Sequence, residues 1–187
     1  MNREKNTPSR NVVFNVPNTI SWLRILSTII IVFLMYGRMF IVAFVLFLLS
    51  ALSDYFDGYI ARKTKQVTNL GKVLDQMSDK ILITSVLVVF VEFGYVPGWL
   101  VVLIIFRDTL VSIVRMLASG HGSVIAANFF GKLKTILQMV LSIGLYIEIL
   151  GFSQLDLINA VFVYAVAITT VLSGVIYMYQ NRDYLNN

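Results

Sequence analysis

Long apolar stretches alternate with short polar breaks along most of this 187-residue chain. A helix needs about 20 mainly apolar residues to cross the hydrocarbon core of a bilayer, so the pattern predicts six membrane-spanning helices. Glycine-containing or polar segments such as Gly37-Arg38 and Arg62–Asn69 separate them. The predicted helices are Ile20–Tyr36, Met39–Ile60, Leu70–Phe93, Pro97–Ala118, Ala126–Leu150 and Leu155–Tyr179. We therefore expect an all-α fold, an integral membrane bundle of six transmembrane helices forming a single domain over residues 1–187.

The composition favours the same environment and limits the chemistry. Hydrophobic residues make up 58% of the chain and charged residues only 13%, whereas soluble domains carry roughly 25% charged residues. The sequence contains no cysteine and one histidine, His121, which excludes thiolate chemistry and multi-histidine metal sites. A bound metal must therefore use oxygen ligands. The basic residues lie mostly in short gaps between apolar segments, so we expect no nucleic-acid partner.

Basic residues in the short loops also predict the orientation, because Lys and Arg accumulate on the cytoplasmic side of a membrane. They occur in both tails and in the loop after the second helix: Arg3, Lys5, Arg10, Arg62, Lys63, Lys65 and Arg182. Arg38 is the exception. We expect both termini in the cytoplasm, and no secretory signal is visible, so we take the chain as unprocessed. The short apolar segment Asn11–Asn18 is expected to form a helix lying in the membrane interface.

Four aspartates interrupt the second and third apolar segments. They are Asp54, Asp57, Asp75 and Asp79. Even the most lenient scale gives an ionised carboxylate at the bilayer centre a cost of about 2.5 to 3.5 kcal/mol, so four of them require a compensating interaction. Spacings of three and four residues place each pair on one helix face, and a short connection makes the two helices antiparallel neighbours.

Carboxylates that face one another repel unless cations lie between them. Oxygen ligands suit Mg²⁺ or Mn²⁺, and two such ions between acidic helix faces would form a phosphoryl-transfer site. The alternative is that the four aspartates only form ion pairs with neighbouring lysines and arginines.

The residues around these aspartates resemble a known family signature. The segment Asp54-Tyr-Phe-Asp57-Gly58-Tyr-Ile-Ala61-Arg62 is followed, after eight residues, by Gly71-Lys-Val-Leu-Asp75-Gln-Met-Ser-Asp79. Eight positions match the defining motif of the CDP-alcohol phosphatidyltransferases, and the six-helix plan is similar over nearly the whole chain. The resemblance implies a homodimeric membrane enzyme that transfers a phosphatidyl group from a CDP-linked lipid to an alcohol at the cytoplasmic interface.

The resemblance also implies roles for individual residues. Two divalent cations, Mg²⁺ or Mn²⁺, would be held by Asp54, Asp57, Asp75 and Asp79, and Asp79 would also be the candidate general base. CDP would be bound by Asn18, Gly58, Ala61, Arg62 and Gly71. Small residues let a nucleotide pack against helix backbone, and Arg62 offers a planar fork for phosphate. Alternatively, the glycines only permit close helix packing and Arg62 is only a topology charge.

A second group of charges in the apolar segments bears on the acceptor. Arg107 and Arg115 fall on broadly one side of the fourth helix, and Lys132 and Lys134 begin the fifth. An acceptor phosphate would satisfy these cations, which points to glycerol 3-phosphate. Alternatively, Asp108 neutralises Arg107, and the lysines only mark the cytoplasmic boundary.

Two further stretches are similar to the branch of the family that uses glycerol 3-phosphate. They are Asn15–Arg24 and Gly131–Met139, whereas Gln76 and Asp108 replace the proline and glutamate usual in that branch. We therefore expect CDP-diacylglycerol and glycerol 3-phosphate as substrates of a multi-pass protein in a bacterial plasma membrane. Phosphatidylglycerol, inositol phosphate or serine as acceptor remain open alternatives, and a cation transporter is a more distant one.

Overall fold

The structure is a computed structural model that describes residues 16–64, 69–120 and 129–182. Within them the chain forms six α-helices, and a short 3-10 helix, Ser153–Leu155, precedes the last. The helices are α1 (Val16–Tyr36), α2 (Phe40–Thr64), α3 (Asn69–Glu92), α4 (Gly98–Gly120), α5 (Phe129–Ile149) and α6 (Asp156–Gln180). The predicted all-α fold is confirmed, with one helix in each predicted segment.

Element boundaries differ from the prediction at a few places. α2 continues to Thr64, four residues beyond the predicted end at Ile60, because the Ala, Arg and Lys that follow are good helix formers. The expected interfacial helix at Asn11–Asn18 lies mainly outside the described residues, and its last three residues belong to α1. The predicted start of the fifth helix, Ala126, also lies outside the described part of the chain.

Tight turns connect the helices at the end of the bundle opposite to the aspartates. Gly94 (φ 82°) and Gly151 (φ 112°) adopt left-handed backbone conformations, which glycine tolerates without a steric cost. Arg38 also has a positive φ, and its guanidinium lies 4.8 Å from the centre of the Phe93 ring. This cation–π contact stabilises the one loop arginine that departs from the predicted charge pattern.

The core is a cluster of aromatic and aliphatic side chains in the middle of the bundle. The buried Tyr146 ring of α5 packs 5.1 Å from Phe44 of α2 and 5.1 Å from Phe90 of α3, measured between ring centroids. Its hydroxyl donates to the sulfur of Met35 at 3.1 Å. Four helices are therefore joined at one point, and α1 packs along both α2 and α3.

The outer surface of the bundle is strongly apolar. Phe33 is 72% exposed and Leu157 is 76% exposed, and many other large apolar side chains are similarly open. Among the described residues, three helical segments are long and apolar enough to cross a bilayer: Asn18–Tyr36, Phe129–Ile149 and Asp156–Gln180. Such a surface suits lipid rather than water, so this is a membrane protein. The count of six spans stays a prediction.

Candidate active site

Arg24 connects three helices at the carboxylate of Asp79. Its fully buried guanidinium donates from Nη1 to Oδ1 of Asp79 at 2.6 Å and to Oγ of Ser78 at 3.0 Å. Its Nε donates to the carbonyl of Ser50 at 3.2 Å and to Oγ of Ser53 at 3.4 Å. Arg24, which contacts both α2 and α3, therefore fixes the position of one carboxylate oxygen of Asp79. The side chain of Asp79 is 39% exposed.

A cavity of about 400 Å³ opens beside Asp79. Side chains from α3, α4, α5 and α6 line it, and the charged ones are Asp79, Lys80, Arg107, Asp108, Arg115, Lys132 and Lys134. Five of these seven groups are cations. The size lies within the range of small-molecule sites, and the charge favours a small, multiply charged anion.

Asp108 is the second carboxylate of the cavity, and it pairs with two of the cations. Its oxygens accept hydrogen bonds from Nζ of Lys134 at 2.5 and 2.7 Å, and Oδ1 also accepts from Nη1 of Arg107 at 3.1 Å. All three side chains are largely buried. Burying a charge is costly unless it is paired, so Asp108 stabilises both cations inside the helix bundle.

Lys80 and Arg115 are held on two sides of the same cavity. Nζ of Lys80 donates to Oγ of Ser112 at 2.6 Å and to the carbonyl of Asp108 at 3.3 Å. Nε of Arg115 donates to the hydroxyl of Tyr177 at 3.2 Å, and its guanidinium carbon lies 5.7 Å from the centre of that ring. α3 is thereby tied to α4, and α4 to α6.

The structure brings part of the sequence-predicted site together. Asp79 and the four cations expected at the acceptor phosphate, Arg107, Arg115, Lys132 and Lys134, line one cavity. The pairing of Arg107 with Asp108, which the sequence left open as an alternative, is also present, but Lys134 makes the shorter contacts to this carboxylate.

The other predicted residues lie at the same end of the bundle. Asn18 is buried in the first turn of α1, and Gly71 lies near the start of α3. The side chains of Asp54, Asp57, Ala61, Arg62 and Asp75, like the environment of Gly58, lie outside what the structure describes, although α2 and α3 contain all six residues. Their predicted roles stay predictions.

Of the four aspartates predicted to bind metal, only Asp79 has a side chain that the structure describes. Asp79 supplies a partly exposed carboxylate, the oxygen donor that Mg²⁺ and Mn²⁺ prefer, and α3 carries Asp75 one helical turn away. Among the described side chains no group of three or more His, Cys, Asp or Glu is close enough to hold a metal. The donor chemistry of Asp79 fits the predicted ions.

Several residues of this site were not assigned from the sequence. Arg24, Ser112 and Tyr177 had no predicted role, although Arg24 lies in a stretch that was noted for its similarity, and Lys80 was considered only as an ion-pair partner of the aspartates. A cation in an apolar segment was the available signal for Arg24 and Lys80. For Ser112 and Tyr177 the sequence offered no signal, because their contacts depend on how the helices pack.

The fold and the cavity together define a helical membrane protein with a carboxylate next to a small cationic pocket, and comparisons with known proteins specify its family. The family model described as CDP-alcohol phosphatidyltransferase matches residues 14–172. The chain therefore belongs to the CDP-alcohol phosphatidyltransferase family, and it is a phosphatidyltransferase.

Individual relatives resemble the chain over most of its length. A Bacillus subtilis (strain 168) protein named CDP-diacylglycerol–glycerol-3-phosphate 3-phosphatidyltransferase is 34% identical, covering 92% of this chain and 98% of its own. A Rickettsia bellii (strain RML369-C) protein of the same name is 32% identical over 91% and 97%. A Mycobacterium tuberculosis (strain ATCC 25618 / H37Rv) protein named probable phosphatidylglycerophosphate synthase is 33% identical over 89% and 81%.

Proposed function

We propose that this enzyme transfers the phosphatidyl group of CDP-diacylglycerol to glycerol 3-phosphate, which yields phosphatidylglycerophosphate and CMP. The observation that carries the proposal is the single cavity that contains both Asp79 and the cations of α4 and α5. Relatives named for the same donor and acceptor support it. The acceptor hydroxyl forms the new P–O bond and loses its proton, and the bond between phosphorus and CMP breaks.

Arg107, Arg115, Lys132 and Lys134 are the proposed ligands of the acceptor phosphate. Lys132 is exposed and Lys134 is buried, so the cations extend from the opening of the cavity inward. Ionised hydrogen-bond donors bind phosphate more strongly than neutral donors. Binding the phosphate here holds the acceptor inside a cavity that Asp79 also lines, which converts a bimolecular encounter into a positioned reaction.

Asn18, Gly58, Ala61, Arg62 and Gly71 are the proposed CDP-binding residues. Asn18 is in the first turn of α1, and Gly71 is in the first turn of α3. Both are at the end of the bundle from which the cavity opens beside Asp79. The diacylglycerol tails would remain in the bilayer, along the apolar outer faces of the helices.

Asp54, Asp57, Asp75 and Asp79 are the proposed ligands of two divalent cations, Mg²⁺ or Mn²⁺. Bound there, the ions would neutralise the donor's pyrophosphate and polarise the reacting phosphorus. Asp79 is also the proposed acceptor of the hydroxyl proton, and Arg24 fixes its orientation. We further propose a homodimer with six membrane spans and with both termini and the active site on the cytoplasmic side.

A panel of acceptors tests the proposed function. Purified protein in detergent is supplied with CDP-diacylglycerol, Mg²⁺ and one radiolabelled acceptor: glycerol 3-phosphate, inositol phosphate, serine or phosphatidylglycerol. We expect labelled lipid and CMP with glycerol 3-phosphate. Lipid product from another acceptor but none from glycerol 3-phosphate would contradict the proposal. Cation-dependent CMP release distinguishes the enzyme from a cation transporter, which releases none.

A further inference from the structure

Three side chains, two of which line the cavity, carry a buried polar atom with no hydrogen-bond partner within the described residues. They are Nε of Arg107, Nε2 of Gln138 and Oγ1 of Thr170. Buried polar groups in proteins are nearly always paired, with protein groups, water or a ligand. Leaving one unpaired costs about 1 to 3 kcal/mol. These atoms therefore indicate a place that binds a small polar group.

The three atoms belong to one region of the bundle. Arg107 and Gln138 both line the cavity beside Asp79. On α6, a Cβ atom built at Gly174 would lie 3.1 Å from Cγ of Arg107, so the α6 backbone reaches Arg107 there. Thr170 lies one helical turn from Gly174 and is fully buried. Helices α4, α5 and α6 thus each contribute one of these side chains.

Gln138 and Asp79 lie at similar distances from the starts of their helices. Ten residues separate Asp79 from the start of α3 at Asn69, and nine separate Gln138 from the start of α5 at Phe129. At 1.5 Å per residue, both lie about 14 to 15 Å along their helix axes. Lys132, in contrast, lies near the start of α5 and is exposed. Gln138 thus places an uncharged amide farther along α5 than the exposed Lys132, in the same cavity as Asp79.

We propose that Gln138 recognises the secondary hydroxyl of the acceptor, the hydroxyl that does not react. The inference rests on the proposed function and adds to it a residue that determines which alcohol is accepted. With its phosphate held by the cations of the cavity, a three-carbon acceptor directs its hydroxyl groups toward Asp79 and Gln138, which line the same cavity. The glutamine amide offers both donors and an acceptor, and its terminal torsion turns easily, so either atom can face a hydroxyl.

The assignment predicts discrimination against an acceptor that lacks this hydroxyl. A site built to hydrogen-bond a substrate hydroxyl rejects the analogue without it, because the buried polar group is then left unpaired. The suitable analogue is 3-hydroxypropyl phosphate, which keeps the phosphate and the reacting primary hydroxyl of glycerol 3-phosphate. We expect the wild-type kcat/KM for the analogue to be lower by roughly tenfold or more.

The experiment compares both acceptors in the wild type, in Gln138→Met and in a control. Methionine has nearly the length of glutamine without its amide. Ser142→Ala is the matched control, because Ser142 lies one turn farther along α5, is buried, and donates its hydroxyl to the backbone carbonyl of Gln138 at 2.9 Å, not to its side-chain amide. We expect the preference for glycerol 3-phosphate to shrink at least about tenfold in Gln138→Met and to persist in Ser142→Ala.

Different failures have different meanings. A wild type that uses both acceptors equally would overturn the role of Gln138 without any variant, so the test does not depend on the folding of Gln138→Met. Equal losses of kcat/KM with both acceptors in Gln138→Met would also overturn this role. They would indicate that Gln138 serves only phosphate binding, packing or the binding of an ordered water. If the wild type made no product from glycerol 3-phosphate at all, the proposed function itself would be contradicted.

Discussion

Arg24 on α1 holds Asp79 on α3 through a 2.6 Å ion pair, across a separation of 55 residues in the sequence. The same guanidinium contacts serine groups on both α2 and α3. A planar, permanently charged fork of this kind fixes its partners in one geometry. Arg24 thus positions Asp79 while it joins the three helices that carry the proposed donor and metal residues.

Replacing Arg24 with lysine should slow turnover without weakening substrate binding. Lysine keeps the charge, but a single ammonium cannot reproduce the directed contacts of the fork to Asp79, Ser78 and Ser53. We expect kcat to fall at least about tenfold, equivalent to roughly 1.4 kcal/mol, while KM for glycerol 3-phosphate stays within about threefold. Steady-state kinetics at saturating donor would measure both quantities.

Arg38→Lys is the control for this change, because Arg38 occupies a turn at the opposite end of the bundle, over the Phe93 ring. Its kcat should match that of the wild type. An unchanged kcat in Arg24→Lys, or an equal loss in both variants, would refute a specific positioning role for Arg24.

Asp79→Asn should abolish turnover. The substitution keeps the size of the side chain but removes the charge and the basicity that the proposed roles require. We expect kcat to fall by at least about a thousandfold, while Asp156→Asn, an exposed carboxylate in the first turn of α6, remains active. Direct measurement of Mn²⁺ binding separates the two roles of Asp79: retained binding favours the base, and lost binding favours the metal ligand.

Removing divalent ions should stop the reaction reversibly. The proposed ligands are all carboxylates, so a chelator competes for the ions without reducing or modifying any side chain. We expect CMP release to disappear with EDTA and to return with excess Mg²⁺ or Mn²⁺. Full activity after exhaustive chelation, with the residual metal content checked by elemental analysis, would rule out the two-cation proposal.

Asp108→Asn should destabilise the protein more than the combined loss of Asp108 and Lys134. Removing Asp108 leaves uncompensated buried charges on Lys134 and Arg107, at a cost of about 3 to 5 kcal/mol for one such charge, and replacing Lys134 as well removes the one with the shorter contacts. Asp108 is 12% exposed, so the cost should lie toward the lower value. The unfolding temperature in detergent should be lower for Asp108→Asn than for the Asp108→Asn/Lys134→Met double variant. The reverse order would contradict the pairing.

Much of the architecture could be predicted from the sequence because each helix is specified locally. An apolar run of sufficient length specifies a helix whatever its neighbours are, and the six predicted segments each contain one. The cations of α4 and α5 could also be associated with one another, since charged groups in apolar segments are rare and require anions.

Pairings between distant helices could not be predicted in the same way. Asp108 accepts its shortest hydrogen bonds from Lys134, 26 residues away, and not from its neighbour Arg107. Likewise, Tyr177 in the apolar α6 contacts Arg115 of α4. Such contacts depend on the rotation of each helix about its axis and on which helices are adjacent, and a hydrophobic pattern determines neither with the accuracy of a hydrogen bond.

The central claim is that the cationic cavity beside Asp79 binds the acceptor phosphate. It is tested most directly by measuring how the rate of Arg115→Gln depends on the concentration of glycerol 3-phosphate. Arg182→Gln is the control, since Arg182 lies at the same end of the bundle, beside the Tyr179 ring and outside the lining of the cavity. We predict at least a tenfold higher KM for glycerol 3-phosphate in Arg115→Gln, with KM for CDP-diacylglycerol within about twofold, and wild-type values in Arg182→Gln. An unchanged KM for glycerol 3-phosphate, or an equal rise for both substrates, would contradict the account.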